Sequence, residues 1–447
     1  MFNHFEYDYE LCNKKHLFFN IVKYCQDNNI NPFKLIPFTV IINTNYKESI
    51  DDVNYKLLEK LKNVNSNINN YLFKADNIEN SIDSFVKFEN KSKSLDFNNL
   101  NNNIFNLNDR NLAYLNIDVK IPHTHVNKNN CNNNAWIIKP VDLCGGKLIK
   151  IINNLNNIDN EIIQFNKGVY IDNIECNSDK DIIEEEYSVC NSNEITSEYS
   201  SKYISYKRNS YLNKFLNAGK SKNKPNCNSK KYRSNNMIIQ KYIQQPLLYN
   251  GRKFDIRIWT LIDHHMKIYI FKEGHLKTCS VNYKHHSTSK YIHLTNYSLQ
   301  KKNPNFNKYE EGNEVSFRTF QDYLYKNNHN INVKKDIMPK IINIIKITYN
   351  SIKNKINKKN RNNCFLIAGY DFIIDINYNV WLLEVNKNPG LSFSSNVIKE
   401  LVPRMVDDCL KITLDKVFKC FNSDEGRSKY TIEGYSDYEN LWMEIKI

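Results

Sequence analysis

Hydrophobic and polar positions along this 447-residue chain change period several times. "HLFFNIVKYC" (16–25) has helical spacing, and "LIPFTVII" (35–42) runs apolar like a strand. From about 63 to 134 the pattern breaks into asparagine-rich patches such as "NVNSNINN" and "NNLNNNIFNLNDRN", which read as loops. "NAWIIKP" and "NMIIQKYI" then read as strands, and "KFDIRIWTLI" with "MKIYIFKEG" as an antiparallel pair around Asp263–His265. "SFRTFQDYLYKN", "DIMPKIINIIKITYNSIKNKI" and "NVIKELVPRMVDDCLKITLDKVF" have helical spacing, with Pro339 marking a first turn or a kink. Between 174 and 234 an irregular tract starts acidic ("SDKDIIEEE") and ends basic, which reads as an inserted surface loop or disordered segment. Strands alternating with helices, antiparallel pairs included, predict an α+β or mixed α/β protein.

Within this pattern one hairpin stands out. "GYDFIIDINYNVWLLEVN" (369–386) reads as two short strands joined by the loop Ile376–Asn379. In that register Asp375 faces Val380 and Asp371 lies opposite Glu384, although like charges across a ladder repel. Alternation puts Tyr370, Phe372, Ile374, Trp381, Leu383 and Val385 on one apolar face. Asp371, Glu384 and Asn386 share the other face with Ile373 and Leu382. Two carboxylates and an amide oxygen form the kind of site that holds Mg²⁺ between protein and phosphates. The other reading of this segment is a solvated hairpin face, or acids paired to lysines elsewhere.

Three more segments carry polar groups on apolar strands. In "WIIKPVDLCGGK" Lys139 ends a strand shortly before a Gly-Gly turn, where a lysine and open backbone can meet phosphate oxygens; a plain turn is the alternative. In "GRKFDIRIW" Lys253, Asp255 and Arg257 alternate onto one face, against Phe254, Ile256 and Ile258 on the other. That face is either a solvated edge or a wall of charges for phosphates and carboxylates. "HLTNYS" (293–298) adds hydroxyls and an amide where no turn chemistry explains them.

Composition changes this picture little. A net charge of +14 and pI near 9.0 favour acidic partners, but asparagine at roughly one residue in six points to a compositional bias that would itself raise lysine. The eleven cysteines show no C-x-x-C and no zinc-ligand spacing. "MFNHFEYDYE" has no secretory n-region, and no apolar run is long enough to cross a bilayer. A soluble protein of a reducing compartment is expected.

Taken in order, "WIIKP", "IIQKYIQQPLL", "GRKFDIRIW", "IHLTNYSLQKKN", "AGYDFIID" and "WLLEVNKNPGL" resemble the successive motifs of the tubulin–tyrosine ligase family over roughly 136–421. "NKYEEGNEVSFRTFQDYL" is similar to the tyrosine ligase itself, whereas "NYS" and "NPGLS" resemble glutamylating and glycylating members. The resemblance implies an ATP-grasp fold, two α+β lobes closing on Mg-ATP, over 131–421. A divergent N-terminal domain (1–130) would precede it, 174–234 would be a flexible insertion, and 422–447 would be a C-terminal tail.

The same resemblance implies roles for individual residues. Lys139 and Lys253 would hold ATP phosphates; Gln240, Lys241 and Ile243 would frame the adenine. Asp255 would lie near the ribose and the incoming amino acid, and Thr295 and Asn296 near the phosphates. Arg257 and Lys277 would take the amino acid's carboxylate, with Tyr297 and Ser298 toward the same substrate. Asp371, Glu384 and Asn386 would bind magnesium. Lys253, Asp255, Arg257 and Glu384 would form the catalytic set.

The implied activity is ATP-driven addition of an amino acid, tyrosine first, to the C-terminal glutamate of α-tubulin through an acyl phosphate. Glutamylation of tail side chains, or tubulin binding with weak catalysis, are the alternatives. The expected partners are the tubulin tail and free tyrosine or glutamate, with no nucleic acid or membrane. A monomer, cytoplasmic and associated with tubulin or microtubules, is expected. Three positions depart from the family pattern: Leu148 stands where a small glycine is usual, Gly145 where a glutamine, lysine or arginine is common, and Lys277 where an arginine is usual. An ammonium cannot reproduce the two-pronged grip of a guanidinium.

Overall fold

The structure, a computed structural model, describes residues 3–43, 135–141, 143, 145–153, 158–167, 169–170, 231–232, 236–362, 364–415 and 427–447. The strands in chain order are β1 (Thr39–Asn43), β2 (Trp136–Pro140), β3 (Lys150–Ile152), β4 (Val169–Tyr170), β5 (Lys231–Tyr232), β6 (Asn236–Lys241) and β7 (Leu248–Tyr249). They continue with β8 (Arg252–Ile262), β9 (Ile268–Thr278), β10 (Glu314–Ser316), β11 (Leu366–Ile374), β12 (Val380–Asn386) and β13 (Trp442–Glu444). The chain divides into two compact units, 1–166 with 234–447, and 167–233. Of the second unit, β4 pairs antiparallel with β5. The rest of the tract expected as an insertion lies outside the described residues.

The large unit holds two antiparallel sheets. One has the order β1-β6-β2-β3; the other runs β10-β9-β8-β11-β12, with β13 added to β9 and β7 to β8. Alternation along β8 explains how the second sheet serves both core and site. Phe254, Ile256 and Ile258 join the main core with the helix Met338–Ile352, whose Ile341, Ile344 and Ile345 face inward. On the opposite face Trp259 and Leu261 lie under the helix Asn396–Thr413, packed with Ile398, Leu401 and Met405. Lys253, Asp255 and Arg257 continue that same face beyond the helix's cover.

Both chain ends belong to this body. Phe5, Leu17, Phe18 and Ile21 sit in the main core with Phe254 and Phe372, and β1 pairs with β6. The segment expected as a tail supplies β13, and Trp442 is buried against Phe271. Arg404, fully buried, bonds Asp408 at 2.9 Å and donates to the carbonyls of Tyr430, Ser436 and Glu439, which fixes that return. The helix expected over "DIMPKIINIIKITYNSIKNKI" runs Met338–Ile352, with Pro339 in its first turn.

The 369–386 hairpin departs from its expected register in one place. Ile374 pairs with Val380 and Phe372 with Leu382, yet Asp371 still pairs with Glu384. Leu383 is therefore an extra residue, a β-bulge, and it flips the face beyond it. Val380, Leu382 and Val385 enter the core, while Trp381 and Leu383, expected there, are half-buried outside it. The loop is a residue longer because Asp375 closes it. Its Oδ1 accepts from the Asn377 and Asn379 amides, each at 2.9 Å, and Oδ2 from Trp381 Nε1 at 3.2 Å. Among the described residues no helix is long and apolar enough to cross a membrane, and the described cysteines carry free thiols.

Candidate active site

The two sheets of the large unit line an open cleft. Its walls bring together Lys139, Gln240 and Lys241 from the first sheet with Lys253, Asp255, Lys277, Asp371 and Glu384 from the second. Ile243, Thr295, Asn296 and the Gly145–Gly146 turn complete it. Arg257, Tyr297, Ser298 and Asn386 stand behind or beside these walls rather than in them.

Strand register arranges the charges in rows. Glu384, Asp371, Arg257 and His275 are direct neighbours across β12, β11, β8 and β9, and Asp255, Lys277 and Glu314 form the next row across β8, β9 and β10. Asp371 is only 2% exposed. Arg257 donates to both its oxygens, Nε at 2.6 Å and Nη2 at 2.9 Å; Lys277 Nζ lies 2.9 Å away and Asn386 Nδ2 donates at 3.1 Å. The buried acid is thus answered by a two-pronged guanidinium and an ammonium from the chain itself. Burial alone would raise the Asp371 pKa, but the Arg257 and Lys277 charges hold it well below the usual carboxylate range. Glu384 is less enclosed. Lys14 Nζ approaches it at 3.4 Å and Asn386 Nδ2 donates at 3.3 Å. Burial pushes its pKa up, and Lys14 and Lys139 bring it below the ordinary value on balance.

The cleft is also lined by a left-handed turn. Gly145, Gly146 and Leu148 have φ of 73°, 76° and 57°. Gly146 has a left-handed backbone that side chains rarely adopt, and a Cβ there would lie 2.8 Å from Asn296 Oδ1. Leu148 keeps the left-handed backbone expected of a glycine and is anchored by burying its side chain. The departure at Leu148 therefore leaves the turn intact. Ser298 Oγ donates to the Gly145 carbonyl at 3.4 Å.

Lys139 Nζ donates to Gln240 Oε1 at 3.1 Å, Gln240 Nε2 to Thr39 Oγ1 at 2.8 Å, and that hydroxyl to the Pro37 carbonyl. Lys253 Nζ bonds Asp255 Oδ1 at 3.0 Å, and Thr295 Oγ1 bonds Asp255 Oδ2. Burial, with the Lys14 charge adding to it, lowers the Lys139 pKa to about 8. The protonated form is the one that attracts an anion. Nucleotide affinity is therefore expected to weaken as pH rises through about 8, and in Lys139→Met that change becomes smaller, the remainder coming from Lys241, whose pKa burial also lowers to about 8. Titrating Mg-ATP binding between pH 7 and 9 in both proteins checks this.

The residues fit a magnesium–nucleotide pair. Glu384, Asp371 and Asn386 supply hard oxygen donors of the kind magnesium takes alongside phosphate oxygens, and Lys139, Lys253 and the glycine turn suit the phosphates. Among the described residues, however, no group of three or more His, Cys, Asp and Glu side chains is arranged for a metal. Asp371 would have to share its oxygens with Arg257 and Lys277.

Sequence reasoning missed Lys14 and His293. Lys14 begins the helix Lys14–Asp27, lies 129 residues from Leu143, and donates to that residue's carbonyl at 2.9 Å while facing Glu384. No local pattern marks it. His293 opens "HLTN", where no pattern in the sequence marks it as lining a cleft.

The sequence profile of the Tubulin-tyrosine ligase family matches residues 89–421, and the chain belongs to that family. Its mixed α+β architecture of antiparallel sheets and helices agrees with the family's ATP-grasp-like fold. Tubulin glycylase 3D of Tetrahymena thermophila is 35% identical over 185 residues, covering 40% of this chain and 18% of that protein. Probable alpha-tubulin polyglutamylase Ttll1 of the same organism is 28% identical over 47% of this chain and 51% of its own length. Protein polyglycylase TTLL10 of Rattus norvegicus is 31% identical, over 46% of this chain and 32% of its own. The chain thus spans about half of one of these relatives and a third or less of the other two.

Proposed function

We propose that this protein is an ATP-dependent ligase that joins the amine of a free amino acid to a carboxylate in the acidic tail of tubulin. Family membership supports the ligase class, and the relatives' names support tubulin as acceptor. The observation that carries the reading is the charged pair Glu384–Asp371 with Lys277 beside it, backed by Arg257 and opening on the same cleft as Lys139, Lys253 and the glycine turn. One ligand's phosphates and another's carboxylate would meet there.

In the proposed reaction the terminal phosphoryl group passes to the acceptor carboxylate, giving an acyl phosphate. The amine then attacks the acyl carbon, inorganic phosphate leaves, and an amide remains. Lys139 and Lys253 offset negative charge on the phosphates. Asp255, fixed by Lys253 and Thr295, orients the ribose side of the nucleotide. Arg257 and Lys277 hold the amino acid's carboxylate, and Tyr297 and Ser298 flank it. Magnesium, when bound by Asp371, Glu384 and Asn386, would supply counter-charge to the transferring phosphoryl group.

Glycine and glutamate come ahead of the expected tyrosine, because the relatives reported above are named glycylases and a polyglutamylase. Incubation with tubulin, Mg-ATP and labelled glycine, glutamate or tyrosine in parallel, followed by mapping of the modified tail, tests both levels. Label in tail peptides with glycine or glutamate is expected. Tyrosine at the C-terminus would restore the first assignment, and no label from any amino acid would overturn the ligase reading.

A further inference from the structure

Glu314 ends the row Asp255–Lys277–Glu314, and the reaction proposed above gives it no role. It is the direct partner of Lys277 across β9 and β10, so the two side chains leave one face about 5 Å apart. Lys277 lines the cleft, but its ammonium reaches the other way, over β8 to Asp371 at 2.9 Å. The proposed amino-acid clamp therefore has an acid on each side. Asp371 is neutralised by Arg257 and Lys277, whereas among the described residues no lysine or arginine pairs with Glu314.

Hydroxyls hold Glu314 instead. Ser394 Oγ reaches its two oxygens at 3.0 and 2.9 Å, and Ser395 Oγ donates to Oε2. Ser395 Oγ also accepts from the Ile398 amide, which leaves its own proton for the acid, an arrangement suited to a carboxylate. The backbone is clasped as well. Asn396 N donates to Glu311 Oε2 at 2.9 Å, and a Cβ on Gly312 would lie 2.8 Å from the Ser394 carbonyl. His275 Nε2 lies 3.8 Å from Glu314, but burial and the Arg257 and Lys277 charges keep that imidazole neutral. Glu314 is thus a fixed charge, 9% exposed and without a counter-ion, behind the clamp.

We infer that Glu314 keeps an acidic side chain out of the amino-acid site, so that the chain transfers an uncharged amino acid in preference to glutamate. The inference rests on the ligase reading given above and narrows its substrate. Every amino acid brings the α-carboxylate that Arg257 and Lys277 would hold. A second carboxylate on the side chain finds those cations already shared with Asp371 and meets the field of Glu314. Two like charges about 10 Å apart in a wall of effective dielectric near 20 disfavour binding by about tenfold. Glycine carries no second charge. Glu314 acts here as a specificity-determining residue through its charge, without touching the substrate.

The test is competition at fixed tubulin and Mg-ATP. Transfer of labelled glycine, or of tyrosine if that is what the chain transfers, is measured against unlabelled glutamine or glutamate, which share a shape and differ in charge. In the wild type glutamine should compete at least about tenfold better than glutamate. Glu314→Gln should narrow that ratio to about twofold or less, with thermal melting showing a folded protein. Glu314→Asp keeps the charge while loosening the serine clasp, so it should retain the ratio. A purely structural role would lower transfer in both variants and leave the ratio unchanged. The wild-type ratio retained in folded Glu314→Gln overturns the inference. If that variant does not fold, the wild type still decides: equal effects of the two competitors, none included, or preferred transfer of labelled glutamate, overturn the inference alone. A wild type that transfers no amino acid overturns the ligase reading and the inference with it.

Discussion

Glu384→Gln is expected to abolish amino-acid transfer while leaving the protein folded. The change keeps the volume and removes one charge at the junction of the proposed nucleotide and amino-acid sites. Glu384 is the less enclosed of the two acids, with Lys14 at 3.4 Å and Asn386 at 3.3 Å as its neighbours. An acid acting on a metal or a transferring phosphoryl group is worth several kcal/mol, so activity should fall by about a hundredfold or more. Stability should change by no more than about 1 kcal/mol, because the Lys14–Glu384 pair is partly solvated and Lys14 keeps its bond to the Leu143 carbonyl. Labelled amino-acid transfer and thermal melting, measured on one preparation, check the two halves. Full activity in the variant would remove Glu384 from the machinery.

Arg257→Ala carries the second large effect, and it acts on stability and on binding. Asp371 would lose a two-pronged partner while staying buried, and breaking such a pair costs about 3–5 kcal/mol. The lost charge-assisted contact to substrate costs a further ~1.5–3 kcal/mol, which is about ten- to a hundredfold in amino-acid affinity. Lowering the temperature until the variant is folded separates the two. Amino-acid KM should then rise sharply, with Mg-ATP affinity shifting as well because Asp371 loses its partner, and an unchanged amino-acid saturation curve would remove the clamp. Lys277→Arg should be tolerated, since a guanidinium there can still reach Asp371.

The same ion pair sets an acid limit. The Asp371 pKa lies below its unfolded value, so its stabilising contribution is fully present above the ordinary carboxylate range. It is lost as pH falls through that range and below. Arg257→Ala should flatten this part of the stability profile, measured by urea unfolding between about pH 2 and 5.

Much of this was legible in the sequence because alternation is a strong signal. The polar face of "KFDIRIW" follows from period two alone, whereas the Asp371–Glu384 pairing holds because the bulge at Leu383 offsets a loop one residue longer than expected. Leu383 was misplaced because a bulge adds a residue that no composition rule marks, and the faces beyond it exchange. The partners of Asp371 were hidden for a different reason. Arg257 lies 114 residues away, and only the order of β8 beside β11 makes them neighbours. Lys14 was harder still, since it comes from a helix in the segment expected as a separate domain. Asp375 shows the converse: an acid in a strand-like run was closing its own turn.

The most direct test of the central claim is ADP formation by the purified chain with Mg-ATP, with tubulin and a free amino acid supplied singly and together. The account predicts ADP only when both are present, with about one ADP formed for each residue attached to the tail. Tubulin binding with no ADP above the level of the Glu384→Gln variant would contradict it, and would leave a tubulin-binding protein that keeps the fold without the chemistry.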